Sequence, residues 1–214
     1  MWGSIRKLLL IQIILFLPFI ILIRGSMVLH NDYGYEPWSA LFGGMITASV
    51  FLFAYISHIY RRFSRKPENL SIKRVFYLAF FVVFIICAKG LWFISGKSFN
   101  GAHIRKEFTQ LHPILRVAVS TLVNLDDSLI VTDAARQPGD YKKMRLSPKP
   151  KSLHYKQGNG FVHAIDLRTR DRSEIRNLLV TGYFKLMGFQ TLRHNEAGDH
   201  LHISINCHEK PWAM

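Results

Sequence analysis

Ten histidines and fourteen carboxylates are spread over 214 residues, and several near the C-terminus stand at spacings that could hold a metal. His200 and His202 lie two apart in the alternating run His200–Asn206. A strand turns every second side chain to the same face, so both imidazoles project together. Asp199 precedes them, His163 and Asp166 sit in FVHAIDL (161–167), and His154 ends a basic stretch. A His-x-His pair joined by a carboxylate and a third imidazole suits catalytic zinc, which takes three nitrogen or oxygen ligands and leaves one position for water. No thiolate competes for such a borderline cation, since Cys207 lies beyond the pair and Cys87 in an apolar block. Two cysteines do not make a disulfide framework.

These residues need a frame. After a linker at 98–104, Phe108, Leu111, Ile114, Leu115, Val117, Val119, Leu122 and Val123 keep helical spacing, and Pro113 opens a second helix there. SLIVT (128–132) predicts a buried strand, and QPGDYKKMRLSPKPK (137–151) a Pro- and Lys-rich loop. FVHAIDL predicts a second strand. Ser173 caps an amphipathic helix carrying Ile175, Leu178, Leu179, Tyr183, Phe184 and Met187 and ending at Gly188. Residues 190–194 and 200–206 pair as a hairpin about 195–198. The expected fold class is α+β, with a central antiparallel sheet.

The order Ser152-x-His154, Ala164-x-Asp166, then Asp199-x-x-His202 or His200-x-His202 resembles the zinc peptidases that cut peptidoglycan. These are the D-alanyl-D-alanine carboxypeptidase and L-alanyl-D-glutamate endopeptidase group, related to lysostaphin and hedgehog domains. The likeness covers roughly residues 110–206. HPILRVAVSTL (112–122) is similar to the family's leading helix, and SLIVTDAARQPG (128–139) to its arginine-bearing strand and turn. The resemblance implies His154, Asp166 and His202 as Zn2+ ligands. It also implies Arg136 as the group that steadies the substrate carbonyl or oxyanion, and Asp199 as general base in the carboxypeptidase pattern. His200 takes that place in the endopeptidase pattern; strand parity favours His200 and the resemblance favours Asp199. The chain departs from the family pattern between His154 and Asp166. They stand twelve apart rather than about seven, with an inserted KQGNG (156–160), and Val162 falls where the family has glycine. His163 is thereby a competing ligand, although parity puts it opposite Asp166.

Composition sets the compartment. The formal charge of +14 divides into +8 over residues 1–97 and +6 over 98–214. The first part is apolar blocks with basic punctuation, and the second has the mixed polarity of a soluble domain. Spans are expected at about 8–24, 38–60 and 75–95, each near the roughly 20 residues a bilayer needs. Thirteen per cent aromatic content excludes a disordered chain, and the spans exclude a purely cytosolic one. Arg61, Arg62, Arg65, Lys66, Lys73 and Arg74 put the 61–74 loop and the N-terminus in the cytoplasm. Three spans then deliver 98–214 to the periplasmic or extracellular side, where a cell-wall peptidase has its substrate. The alternative keeps the fold as an inactive membrane-tethered cell-wall-binding module. Lys142, Lys143, Arg145, Lys149 and Lys151 are its asset, whereas no nucleic-acid motif accompanies them.

Overall fold

The computed structural model describes residues 2–63, 71–92, 94–143, 147, 149–194 and 198–206. The chain divides into two compact units, Met1–Ala88 and Lys89–Met214. The first holds α1 (Trp2–Asn31), α2 (Pro37–Phe63) and most of α3 (Ile72–Trp92). The α1 helix runs past Arg24, where the first span was expected to end. It closes where the His30 Nδ1–H donates to the Tyr35 carbonyl at 2.8 Å. Ala40, Gly44 and Ala48 form a buried row of small residues four apart on α2. A Cβ at Gly44 would collide with Ser26 Oγ and the Leu22 carbonyl of α1. Small residues let the two backbones approach this closely, the packing that serves helices in lipid.

Among the described residues, two helices are long and apolar enough to cross a membrane: Pro37–Arg62 and Ile72–Trp92. The spans expected at 38–60 and 75–95 coincide with these two. Within α1, the side chains are described over the apolar stretch Phe16–Asn31. The expected span at 8–24 begins among residues whose side chains lie outside the described set, as do residues 64–70 of the basic loop.

The second unit opens with the last turn of α3 and continues with a 3₁₀ turn (Gly96–Ser98), then α4 (Ala102–Phe108) and α5 (Pro113–Leu125). Pro113 fits the first position of α5, where its missing N–H costs nothing. The strands are β1 (Val131–Asp133), β2 (Ala164–Arg168), β3 (Gln190–His194) and β4 (His200–Ser204). They form one antiparallel sheet in the order β1-β2-β4-β3. Both β1 and β2 start about three residues later than the sequence suggests. A six-residue helix, α6 (Pro138–Lys143), stands where a loop was expected. Its start is fixed by Asp140 Oδ2 accepting from Gln137 N at 2.8 Å, a side-chain turn that hydropathy does not reveal.

The core lies on one face of the sheet. Ile165, Leu167, Leu201 and Ile203 are all almost fully buried there. The α5 helix is buried along most of its length, and α7 (Glu174–Met187) joins it through the Tyr183 hydroxyl, which donates to the Ala118 carbonyl at 2.8 Å. As expected, Ser173 caps α7, its hydroxyl accepting from Arg176 N at 3.5 Å, and Gly188 ends it in the left-handed region at φ 96°. The face it buries shares only Phe184 and Met187 with the expected one. Asn177, Val180, Phe184 and Met187 go inward, while Ile175, Leu178 and Leu179 are 69–72% exposed.

Candidate metal centre

Strand alternation leaves Asp166 and His202 on the sheet face opposite that core. They are direct Cα partners across β2 and β4, so the register itself sets their side chains together. His202 Nδ1 lies 2.8 Å from Asp166 Oδ1. His154 is delivered from outside the sheet. Its Nε2 lies 3.3 Å from His202 Nδ1 and 3.4 Å from Asp166 Oδ1. All three residues are buried, and their donor atoms form a group able to hold a metal ion.

The turn before β2 explains how His154 arrives despite the insertion. Lys156 and Val162 form an antiparallel bridge, closed by Gln157 N donating to Phe161 O at 2.9 Å. Gly160 supplies the left-handed residue, at φ 81°, which a side chain would strain. The extra residues therefore loop out and return, leaving His154 at the sheet. Ser152 Oγ accepts from the Tyr141 hydroxyl at 2.8 Å and from His154 N at 3.3 Å. Arg136 N donates to the His154 carbonyl at 2.9 Å.

The histidine tautomers follow from their partners. His154 Nδ1 lies 2.7 Å from the Ala134 carbonyl, which can only accept, so Nδ1 carries the proton and Nε2 turns its lone pair to the cluster. Such second contacts orient metal-binding imidazoles. The His202 Nδ1–H donates to Asp166, and His202 Nε2 is buried without a hydrogen bond. Ligands about 2.1 Å from a tetrahedral zinc stand about 3.4 Å apart. Two of the three spacings match that edge, so the residues fit such an ion, and the third would have to open by about 0.6 Å.

The electrostatics are coupled. Burial alone would raise the Asp166 carboxyl, but His154 and His202 outweigh it and hold it well below the usual carboxylate range. Burial alone would lower His154, but Asp166 lifts it above the ordinary histidine value. Arg136 Nη2 donates to Asp166 Oδ2 at 2.9 Å, and the same guanidinium pairs with Asp133. Burial opposes its charge; Asp133 and then Asp166 more than restore it. Asp133 reaches this position because the β1–β2 register shifts between Val131 and Asp133, as bulges beside functional sites often do.

Arg136 also lines a cleft of about 500 Å³ with Glu107, Gln110, Asp140 and Tyr155. Burial, and then Asp133, raises the Glu107 carboxyl above its ordinary value. His200 shares the face of His202, with Nε2 3.9 Å from Asp166 Oδ2. Its Nδ1–H donates to the Gly198 carbonyl at 2.7 Å, so Nε2 is the basic nitrogen on the cluster side. Its ring stacks on His194, with centroids 4.9 Å apart.

Asp199 is engaged elsewhere. Its carboxylate accepts from Thr169 Oγ1 at 2.6 Å and from Arg193 at 3.0 and 3.1 Å, and these partners hold its pKa down. His163 also points away from the cluster, with Nε2 beside the Asn159 amide at 2.9 Å and its ring edge-on to His112. Of the expected residues, the structure thus brings together His154, Asp166, His202, Arg136 and His200. Cys207, Arg145 and the side chains of Lys142 and Lys143 lie outside the described residues. Sequence reasoning named Ser152 through its Ser-x-His motif but missed Asp133, Tyr141 and Glu107; only the Asp133–Arg136 spacing of three hinted at a pair. No protein-family description, curated protein or solved structure matches the chain.

Proposed function

We propose that this chain is a membrane-anchored zinc peptidase that hydrolyses D-amino-acid-containing peptide bonds of peptidoglycan. The convergence of His154 Nε2, Asp166 Oδ1 and His202 Nδ1, buried and 2.8–3.4 Å apart, carries the reading. Three ligands, two imidazoles and one carboxylate, leave a zinc ion a position for solvent. The order of Ser-x-His, Ala-x-Asp and Asp-x-x-His along the chain supplies the substrate class. A bound zinc ion provides an acidified water and polarises the peptide carbonyl. Around it, Arg136 lines the cleft, with Nη1 donating to the Tyr141 hydroxyl at 3.4 Å, and stabilises the oxyanion. His200 Nε2 holds the proton taken from water, a task its position suits better than the Arg193-bound Asp199.

The chain is read as an inner-membrane protein with three spans, its N-terminus inside and residues 98–214 periplasmic or extracellular. Phe42, Ile46 and Val50 on α2 and Phe81, Phe84 and Ile85 on α3 are all 45–58% exposed. That apolar surface suits lipid better than water. The substrate is the wall peptide and the bilayer the anchor.

The test uses the full chain in neutral detergent, incubated with purified sacculi with and without a chelator. About one zinc per chain and chelator-sensitive release of muropeptides, identified by mass, are expected; His202→Ala loses both. Chains with full zinc that release nothing would sink the peptidase. That result would leave the second reading, an inactive wall-binding module, which the diversion of Asp199 to Arg193 favours.

A further inference from the structure

The α7 helix has two apolar faces. Val180, Phe184 and Met187 enter the core. On the opposite side Ile175, Leu178, Leu179 and Leu186 are 57–72% exposed, with Gly182 among them. Helical spacing gathers these five within an arc of about 100°. Arg176 borders the row on one flank and Lys185 on the other. At the N-terminal end of α7 is a cleft of about 350 Å³ lined by Arg168, Arg170, Arg172 and Arg176 together with Ser128 and Asp171. Arg172 is neutralised by Asp126 at 2.6 Å. Arg170 meets only the exposed Asp171, at 3.9 Å. Arg168 and Arg176 form no ion pair among the described residues, so the cleft keeps a positive charge.

We propose that α7 lies on the anionic headgroup layer of the bilayer, its outer aliphatic row at the acyl boundary and Arg168, Arg170 and Arg176 on lipid phosphates. Exposed aliphatic rows flanked by basic stems behave this way at interfaces. Charge chooses lipid over a second copy, because like arginine clefts repel whereas anionic lipid attracts each basic residue. Proximity favours it as well, since this unit follows directly on α3 with no long linker. The inference rests on the membrane reading of α2 and α3 and is independent of peptidase activity.

The test places the full chain in nanodiscs of phosphatidylcholine with about one-third phosphatidylglycerol. A bimane probe is carried at Leu179→Cys, with Cys87→Ala and Cys207→Ala. Spin-labelled lipid bearing its nitroxide near the headgroup should quench this probe at least about twofold more than the same probe at Lys149→Cys. Arg168→Gln with Arg176→Gln, or discs of phosphatidylcholine alone, should reduce the difference. Equal quenching at both sites overturns the docking. So does a shielded but unquenched probe in discs that hold two chains, which assigns the face to a second copy. A chain that does not enter discs removes the membrane reading and this inference with it, while the zinc and sacculus assays stand apart.

Discussion

The two rival bases separate at the level of single side chains. His200 presents Nε2 to the cluster, while Asp199 is tied to Arg193 and Thr169. His200→Gln should therefore keep zinc and lower muropeptide release by about a hundredfold or more. Asp199→Asn should keep zinc and lose no more than about threefold. The reverse order in the same release assay would return the role to Asp199. Parity made His200 and His202 legible in the sequence, because alternation in a strand is local geometry. It could not show what an adjacent carboxylate binds, since Arg193 reaches Asp199 only across the β3–β4 pair. Asp126 offers a pH test. Burial alone would raise its carboxyl, but Arg172, with Ser128, holds it at about 2 against an ordinary 3.8. The folded form thus binds the proton less well than the unfolded one. The contact's stabilisation is complete above about pH 4 and is lost as pH falls towards 2. Melting temperatures across that window should fall less steeply for Asp126→Asn than for the unaltered chain, and parallel profiles would count against the contact.

At the scale of elements, the boundaries with chemical markers were readable: Pro113 opens α5, Ser173 caps α7 and Gly188 stops it. The α6 helix was not, because its start rests on one Asp140 contact in a lysine-rich stretch. The buried face of α7 was not readable either. With two apolar faces, periodicity alone could not choose between the Val180–Phe184 side and the Ile175–Leu179 side; tertiary packing chose the side that holds the polar Asn177. Its side-chain amide donates to the Thr169 carbonyl at 3.1 Å, which makes the buried polar residue tolerable. Gly182 lies on the outer side, where an added Cβ meets nothing within 4 Å, and its φ is not positive. A helix-interior glycine is less favourable than alanine by about 0.5–1 kcal/mol. Gly182→Ala should stabilise the protein by about that amount, measured by thermal or denaturant unfolding in detergent. A loss of stability would mean that this face is covered.

For the whole chain, the sequence divided a membrane part from a polar part by charge and hydropathy, placing the change at 97/98. Compactness divides it at 88/89, and the difference has physical content. Gly90 sits so close to α5 that an added Cβ would stand 3.2 Å from Val117 Cα. The Arg116 guanidinium donates to the Leu91 carbonyl and lies over the Phe108 ring at 5.9 Å. The last turn of α3 therefore belongs to the polar unit's own packing, which hydropathy cannot show because Gly90, Leu91 and Trp92 read as the end of a span. A fragment begun at residue 98 would leave half-buried Arg116 without this acceptor and expose the α5 surface around Val117. An unsatisfied group of this kind costs about 1–3 kcal/mol. The 98–214 fragment should accordingly unfold at lower denaturant than the 89–214 fragment, with a similar dependence on denaturant and the same zinc stoichiometry. Equal midpoints would show that the α3 end contributes nothing to the polar unit and would restore the boundary drawn from hydropathy.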